Sequence, residues 1–451
     1  MNPITSPRSI AMGGTEIALD QPGYINPGNP ASFSTLWYTT YEAAADFKQY
    51  QFKTTTTEHH TGNASVLSYF ELAFPLKSQK WALGFGLSPY SKIGYSVATS
   101  KINTFGDREI LTYQGEGGLN SFHFNTGFKV SKRFSAGFTV DYLFGSFDNN
   151  RTVTYSNPYY TNTALTSSTT AGGFHFKGGL QYRVDSLPFA KSDSIVMLEK
   201  NITQLEQSLG KLIALKDSSI GYDQKNSLRQ EIAALKLQKD TVVIRKKKSE
   251  WRMVLGLIGS PVAAIGGTNS YIVNSYRFYS YSVPSLGTII RDTVVNSSSK
   301  GDLKIPISLG TGISFVKGTQ WILTTDFTFQ QWSDFTYFGI QDSLQDSWRV
   351  SAGIQFTPND RAIKAYQKTV QYRVGFHYEK GYLFLNEKNI NDIGVSMGFA
   401  LPIRKGSTFL NFTMEAGRRG TMENNLIQEG YFKFILGVTI NDKWFVRTKY
   451  D

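Results

Sequence analysis

The segment SFHFNTGFKV, residues 121–130, places phenylalanine at alternate positions, with small or polar residues between. Successive side chains of a β-strand point to opposite faces of the sheet. Phe122 and Phe124 would therefore share one face, and His123 and Asn125 the other. The pattern predicts a strand with one bulky aromatic face and one polar face.

The same alternation recurs along most of the chain, for example from Trp348 to Phe356 and from Phe432 to Ile440. It predicts fourteen strands, and an even number returns both chain ends to the same side of a membrane barrel. The predicted strands cover residues 36–55, 62–76, 80–98, 108–130, 134–156, 169–185, 250–265, 303–316, 321–335, 347–358, 369–384, 391–403, 408–420 and 430–441.

The composition excludes several classes of protein. The chain of 451 residues holds 32 Phe, 25 Tyr and 7 Trp, and it has no cysteine, so neither a disulfide framework nor a thiolate metal site is expected. No run of about 18 apolar residues occurs, which argues against a transmembrane helix. An intact secretory signal is also absent, and we expect it to have been removed.

Alternation fits a soluble sandwich as well as a membrane barrel. Three features favour lipid on the outside: the apolar face is aromatic, the opposite face is rich in Gly, Ser and Thr, and the strands are long enough for a tilted bilayer crossing. Tryptophans also mark strand ends, where interfacial girdles are expected. These are Trp81, Trp251, Trp321, Trp348 and Trp444. A secreted β-sandwich is the alternative.

The predicted links alternate in length. Short links fall at residues 77–80, 131–133, 317–320 and 405–407. Longer polar links are predicted at residues 157–168 and 292–301. Outer-membrane barrels have short periplasmic turns and long external loops. We therefore expect a bacterial outer-membrane protein with both chain ends in the periplasm, in contact with outer-membrane lipid and lipopolysaccharide.

The first 33 residues do not alternate, and their five prolines are too many for a regular strand. The stretch SPRSIAMGGTEIALDQPGYINPGNPAS, residues 6–32, resembles the amino-terminal segment of the long-chain fatty-acid transporter (FadL) family. The resemblance rests on Arg8, Met12, Gly13, Gly14, Asn29 and Pro30. It implies a hatch inside a fourteen-stranded barrel, where paired glycines let the backbone turn against the wall. A frayed terminus is the alternative.

The resemblance also implies an opening in the third strand, through which a hydrophobic ligand leaves sideways into the membrane. Pro89 lies in the predicted third strand and must remove one ladder hydrogen bond, so we expect the lateral gate there. A strand end or a bulge would tolerate this proline equally well. Candidate residues for an apolar ligand pocket, or else for the buried face of the hatch, are Ile10, Ile17, Tyr24 and Ile25.

The family also includes PorV-like barrels, which are partners of the type IX secretion translocon. The carboxyl-terminal stretch WFVRTKYD, residues 444–451, resembles the basic tails of Bacteroidota-type barrels. The resemblance thus implies two functions. The default is passive transport of hydrophobic small molecules across the outer membrane with lateral exit. The alternative is a non-transporting subunit of an outer-membrane protein secretion or assembly complex.

An insertion at residues 186–250 interrupts the barrel pattern where a periplasmic turn is expected. Its apolar residues recur at steps of three and four, which predicts two helices that bury one seam each in a coiled-coil hairpin. The hairpin is either a decoration or a docking arm, through residues 190–249, for a periplasmic or outer-membrane protein. The candidate contact residues are Leu198, Leu205, Leu209, Tyr222, Leu228, Arg245, Lys246, Lys247 and Lys248.

Charged residues fall on the inward parity of the strands, where they would pair with each other and with the hatch. The predicted lumen lining is Asp141, His175, Lys177, Arg183, Asp326, Arg349, Arg373, Glu379 and Glu415. The formal net charge is +12. Basic residues are nevertheless spread among acidic ones, so no nucleic-acid partner is expected.

No catalytic constellation, metal site or cofactor site is predicted. Adjacent His59 and His60 point in different directions, and no carboxylate pattern accompanies them. The expected class is all-β: a fourteen-stranded antiparallel transmembrane barrel with an amino-terminal hatch and an inserted periplasmic helical hairpin. The predicted parts are the hatch (1–33), strands one to six (34–185), the hairpin (186–250), and strands seven to fourteen with the tail (251–451).

Overall fold

The computed structural model describes residues 6–54, 60–157, 159–185, 193–214, 226–238, 251–278, 289–403 and 408–444. The helices in these ranges are α1 (Pro7–Ile10), α2 (Asp193–Ala214) and α3 (226–238). The strands are β1 (Thr39–Lys53), β2 (His60–Lys77), β3 (Trp81–Pro89), β4 (Ile93–Ile102), β5 (Arg108–Lys129), β6 (Phe134–Tyr155), β7 (Asn162–Val184), β8 (Trp251–Ser260), β9 (Ala263–Phe278), β10 (Ile289–Ile305), β11 (Ser308–Lys317), β12 (Trp321–Gln330), β13 (Thr336–Tyr337), β14 (Ile340–Gln341), β15 (Ser347–Phe356), β16 (Gln371–Lys380), β17 (Phe384–Leu385), β18 (Lys388–Asn389), β19 (Asp392–Pro402), β20 (Thr408–Arg419) and β21 (Gln428–Asp442).

The strands close into one antiparallel barrel. The first strand, β1, pairs with β2 on one side and with the last strand, β21, on the other, from Thr39 opposite Asp442 to Lys53 opposite Gln428. Three of the fourteen wall positions hold two successive segments, namely β3 and β4, β8 and β9, and β10 and β11. The two-residue strands β13, β14, β17 and β18 lie in links. The predicted fourteen-stranded barrel is therefore confirmed.

The aromatic face of the wall points outward. Phe122 and Phe124 are exposed, whereas His123 and Asn125, which alternate with them on β5, are buried toward the lumen. An exposed aromatic band of this kind is the surface that meets hydrocarbon in an outer-membrane barrel. In the part of the chain that the structure describes, no helix is long and apolar enough to cross a bilayer.

The wall is much taller on one side than on the other. The paired strands β5, β6 and β7 each have 22 or 23 residues, whereas β12, β15 and β16 have 10. The outward phenylalanines on β6 and β7 end at Phe144 and Phe174. The remainder of these strands is rich in Ser, Thr and Asn, so it extends as a polar sheet above the membrane band.

This tall wall corrects two sequence predictions. Residues 162–168, placed in a loop by their composition, belong to β7 and pair with β6, for example Ser167 with Asn149. The predicted loop at 292–301 is part of β10, which pairs with β9. Ser and Thr suit a sheet that is solvated on both faces, so the apolar alternation that indicates a half-buried strand is missing there.

Helices α2 and α3 lie in the connection between β7 and β8, at the same barrel end as the short turns after β2 and β5. Ile202 on α2 and Ile232 on α3 are both buried, and Lys236 forms an ion pair of 2.8 Å with Glu206. The helices therefore pack against each other along an apolar seam. Short turns of outer-membrane barrels face the periplasm, which assigns the helical pair to that side.

Candidate functional site

The amino-terminal segment, residues 6–36, lies inside the periplasmic half of the barrel and is called the hatch below. Ser6 caps α1 by accepting a hydrogen bond from the Ser9 amide at 3.2 Å, and Pro7 occupies the first turn, where no amide donor is needed. A 3₁₀ helix, Pro30–Thr35, follows and is capped by Asn29. Nearly every side chain of the hatch is buried or half-buried.

Gly13 lies at the closest approach of hatch and wall. Its φ is +76°, and a Cβ atom there would lie 2.3 Å from the carbonyl oxygen of Phe376, so only glycine fits. Its amide donates to the Ser396 hydroxyl at 3.1 Å, and its carbonyl accepts from Arg349 at 3.1 Å. Gly14 also has a positive φ, of +87°. The two glycines thus form a turn that is fixed to β15 and β19.

Arg8 is buried with Tyr24. Its guanidinium carbon lies 4.3 Å from the centre of the Tyr24 ring, and its Nε donates to Gln355 at 3.2 Å. Burial, with a contribution from nearby Arg373, lowers the pKa of Arg8 to about 10. Burial also raises the pKa of the Tyr24 hydroxyl. The guanidinium of Arg8 and the ring of Tyr24 therefore form a cation–π contact in a site from which water is excluded.

The wall carboxylate of Asp326 binds the hatch backbone. It accepts hydrogen bonds from the amides of Glu16 at 2.6 Å and Ile17 at 2.8 Å. The Glu16 side chain is itself buried, and burial raises the pKa of its carboxyl group to about 8. One oxygen of that group, Oε1, has no hydrogen-bond partner. Glu16 is therefore held largely protonated at neutral pH.

Asp20 is the strongest electrostatic link between hatch and wall. The carboxylate is 2% exposed and accepts from Arg183 on β7 and from Arg252 on β8, the latter at 2.9 Å. Two arginines on adjacent strands thus converge on one hatch carboxylate. Charge-assisted hydrogen bonds of this kind are about twice as strong as neutral ones.

Asn29 and Pro30 fix the second half of the hatch. The side-chain Nδ2 of Asn29 donates to the carbonyl of Ile17 at 2.7 Å, and the side-chain Oδ1 accepts from the backbone amide of Ala31 at 3.1 Å. Pro30 lies against Gly137, where a Cβ would come within 2.4 Å of its carbonyl carbon. Met12 is fully buried with Leu19 and two wall residues. All six hatch residues singled out in the sequence are thus buried or nearly so against the wall.

Inward glycines of the wall form a seat for the hatch that the sequence analysis did not identify. A Cβ on any of them would lie within 3.0 Å of a hatch atom, so backbone or side-chain atoms of the hatch pack directly on the sheet at each one. They are Gly84, Gly127, Gly137, Gly179, Gly256, Gly310, Gly312, Gly353, Gly375, Gly398 and Gly437. Their recurrence at inward positions, where a lumen-facing side chain would otherwise be expected, was the available signal.

Most of the charged residues assigned to the lumen contact the hatch. Besides Arg183, Asp326 and Arg349, Lys177 donates to the Pro27 carbonyl at 2.7 Å, and Arg373 lies 3.4 Å from the Tyr24 hydroxyl. The remaining residues pair within the wall. Asp141 binds His175 at 2.9 Å, Glu379 lies 3.5 Å from Arg349, and Glu415 binds Lys433 at 2.8 Å.

Each inward histidine meets one carboxylate. His123 binds Glu71, which also accepts from Asn125 at 3.0 Å, and His377 lies 3.6 Å from Asp392. Pairs of this kind hold strands together and need no ligand. Among the described residues, no three acidic or histidine side chains gather closely enough to hold a metal ion.

The four residues considered for an apolar pocket do not converge on one pocket. Ile10 packs on Ala44 and Tyr69, and Ile25 packs on Phe33. Ile17 contacts Gly310 and Gly312. Tyr24 and Ile25 line a cavity of about 10 Å³ together with polar groups such as Glu16 and Asn26. That volume holds about one water molecule.

In the external half of the lumen, apolar side chains of the wall pack on one another. Lumen-facing apolar side chains from β5, β6, β7, β9 and β10 form an outer cluster. Its buried members are Leu119, Leu143, Phe147, Ala171, Ala263, Ile265, Leu303 and Ile305. Tyr90 and Ile93, which flank the break between β3 and β4, pack against it. Pro89 is the last residue of β3, so the predicted gate position coincides with this break.

Part of the predicted partner contact falls on α2 and α3. Leu198, Leu205, Leu209 and Leu228 are half-buried between the two helices and the solvent. Met197 on α2 is 68% exposed. Tyr222 and the basic cluster Arg245, Lys246, Lys247 and Lys248 lie outside the described residues.

A closed fourteen-stranded barrel with an amino-terminal hatch in its lumen defines a bacterial outer-membrane protein of the FadL type. The chain belongs to the BamG family, whose model matches residues 4–204 and 206–451. No curated protein matches it by sequence.

Several solved structures share the fold. The P. putida toluene transporter TodX has 13% identity and a TM-score of 0.55, with 98% of this chain and 99% of that chain covered. A Pseudomonas aeruginosa FadL homologue has 10% identity and a TM-score of 0.56, with 98% and 99% covered. The Ralstonia pickettii toluene transporter TbuX has 14% identity and a TM-score of 0.53, with 97% and 98% covered. At these identities the likeness is one of fold.

Proposed function

We propose that this barrel is a non-transporting subunit of an outer-membrane protein secretion or assembly complex. The observation that carries the proposal is the hatch, which is bonded into the lumen from many sides. The hatch is joined to at least six wall strands by hydrogen bonds and charge pairs, and two cavities beside it have volumes of about 10 Å³ each. Ligand sites for small molecules have volumes of about 300–1,000 Å³.

The helical pair supports the same proposal. It replaces a periplasmic turn of a few residues with two helices, and α2 alone has 22 residues, or roughly 33 Å at 1.5 Å per residue. Ordering so many residues is unfavourable unless contacts compensate. A docking arm for a periplasmic or outer-membrane protein accounts for both its length and the exposed Met197.

The test replaces residues 190–249 with a short turn and isolates the barrel from native membranes. A complex subunit should lose its partner while the barrel still inserts and keeps its heat-dependent gel mobility. The matched control shortens the external link 382–390 and should retain the partner. A second pair compares Met197→Glu with Lys200→Glu on the same helix, where only the first should weaken the complex. Partner retention without the helices would overturn the proposal.

Passage of a hydrophobic small molecule is the second candidate, because the toluene transporters share the fold and the third strand breaks after Pro89. This function requires the hatch or the outer cluster to move. It predicts faster entry of a hydrophobic tracer into cells or proteoliposomes that contain the barrel, with the rate reduced by Tyr90→Trp at the break. A rate equal to that of empty membranes would exclude it.

A further inference from the structure

In the part of the chain that the structure describes, the polar sheet above the membrane band has two unpaired edges. On one side, β4 pairs with β5 along its full length, from Ile93 opposite Gly117 to Ile102 opposite Arg108. Across the break, residues 61–69 of β2 pair with β1 alone, because the ladder between β2 and β3 ends at Phe70 and Leu87. Among the residues that the structure describes, no ladder joins β2 to β4.

The second edge is β10. It pairs with β9 from Ile289 to Ile305, and β13 covers it only at Leu303 and Lys304. The polar sheet β4–β5–β6–β7–β9–β10 therefore ends in β4 on one side and in β10 on the other. Each end strand presents a row of main-chain donors and acceptors, which is a template for another strand.

The two edges differ in how they are protected. The β10 edge carries Arg291, Asp292, Lys300 and Asp302, and a bulge between Thr293 and Val295 interrupts its register. Charges and bulges are the features that keep an edge strand from pairing with other chains. β4 has an unbroken register and no proline. Its one charge, on Lys101, is 3.5 Å from Glu109.

The β4 edge is suited to strand addition in other respects. Its ten residues extend roughly 33 Å, and about half of their backbone groups face the opening, because neighbouring residues direct these groups to alternate sides. Tyr95 and Val97 are exposed, and both residue types favour strands. The edge also lies beyond the outward Leu87 and Phe122, so a partner would reach it from water.

We propose that the β4 edge, residues 93–102, binds an extended segment of a partner protein by β-strand addition at the external surface. Main-chain hydrogen bonds would supply the affinity, and Tyr95 and Val97 would contribute side-chain contacts. The β10 edge does not take part. This inference concerns a different surface from the helical pair and extends the proposed function, so the two can fail separately.

The probe is a fluorescent peptide with the sequence REILTYQGEG, residues 108–117, because β4 already accepts this strand on its other side. Binding to the full-length barrel in detergent micelles should be saturable. A peptide with the same side chains but N-methylated at alternate amides should bind at least about tenfold more weakly, because it loses several donors. Equal binding of the two peptides, or no binding of either, would overturn the proposal.

Two valines provide matched variants. Val97 on β4 is 41% exposed and Val294 on β10 is 62% exposed. Val97→Lys places a charge on the open edge and should weaken peptide binding at least about tenfold, whereas Val294→Lys should leave it unchanged. If Val97→Lys does not fold, amide hydrogen exchange of the natural chain, measured with and without the peptide, tests the proposal instead. The peptide should slow exchange in residues 93–102 and not in residues 289–302. Equal slowing on both edges contradicts the proposal.

Binding of this peptide should also persist when residues 190–249 are replaced by a short turn. Loss of peptide binding in that variant would place the contact on the helical pair and overturn the edge assignment. Failure of the helical pair to hold a partner, with the peptide still bound at β4, would overturn the proposed function and leave this inference standing.

Discussion

The two halves of the lumen are filled in different ways. In the periplasmic half, a separate segment is held by directional contacts such as Asp20 with two arginines and Asp326 with two amides. In the external half, side chains of the wall, such as Leu143 and Ile265, pack on each other without any hatch residue. The hatch is therefore positioned by polar bonds that single substitutions or protons can remove, whereas the outer cluster moves only with the wall.

Asp20→Ala should have the largest effect, a loss of stability of the seated hatch. It leaves Arg183 and Arg252 partly buried without their shared carboxylate, which destabilises the seated hatch by about 3–5 kcal/mol. The chain has no cysteine, so Ile10→Cys supplies a single maleimide site in the hatch. Labelling should accelerate strongly in the Asp20→Ala background. Asp360→Ala, at an exposed position in the periplasmic link after β15, is the control and should label as slowly as the parent.

Leu143→Ala should have the next largest effect, on the other half of the lumen. Leu143 is fully buried in the outer cluster, and its truncation should destabilise the barrel by about 3 kcal/mol. The thermal unfolding midpoint in detergent should fall, while labelling at position 10 stays slow. Rapid labelling in this variant would mean that the two halves are coupled and that the contrast does not hold.

The pKa of Glu16 predicts a pH dependence of the seated hatch. Its carboxyl group has a pKa of about 8 in the folded state against 4.5 for the unperturbed group, so the seated hatch binds the proton more tightly. The stabilisation is complete below pH 4.5 and is lost as the pH rises through 8, with about 2 kcal/mol lost between pH 6 and 8. Labelling at position 10, divided at each pH by the rate for the unfolded chain to remove the titration of the thiol itself, should rise over that range. Glu16→Gln should abolish the rise, and a slope that persists in this variant would exclude Glu16 as its source.

Lys101→Ala should have the smallest effect. Its ion pair with Glu109 spans 3.5 Å at the exposed end of β4, and such pairs contribute about 0–1 kcal/mol. The unfolding midpoint should change little, in contrast to that of Asp20→Ala. A large loss of stability would show that charges support the external half as well, and would remove the difference between the two halves.

The sequence was sufficient for the parts of the fold that meet lipid. Aromatic and small residues alternate from Phe122 to Phe128 because one face contacts hydrocarbon and the other the lumen, and this period identified the strands of the membrane band. It was insufficient for the polar sheet. Residues 163–168 are half-buried on both faces and residues 292–300 are exposed on both, so neither stretch shows the alternation that separates a strand from a loop.

The site was predictable to a similar degree. Inward parity identified wall charges such as Asp326 and Arg373, yet it could not identify their partners. Asp20 and Glu16 meet residues that are more than 150 positions away in sequence, and no local pattern encodes such contacts. The glycine seat was visible as a set of small inward residues, but its purpose depends on the path of the hatch.

The positions that hold α1 and the glycine turn have a consequence for biogenesis. Thr413 on β20 donates to the Pro7 carbonyl at 2.7 Å, and Ser396 on β19 accepts from Gly13. Residues 7–13 of the hatch thus find their final neighbours on two of the last strands of the barrel, about 400 positions later in the sequence. Before β19 and β20 have formed, these residues lack their partners, so this part of the hatch can be seated only late in the folding of the barrel.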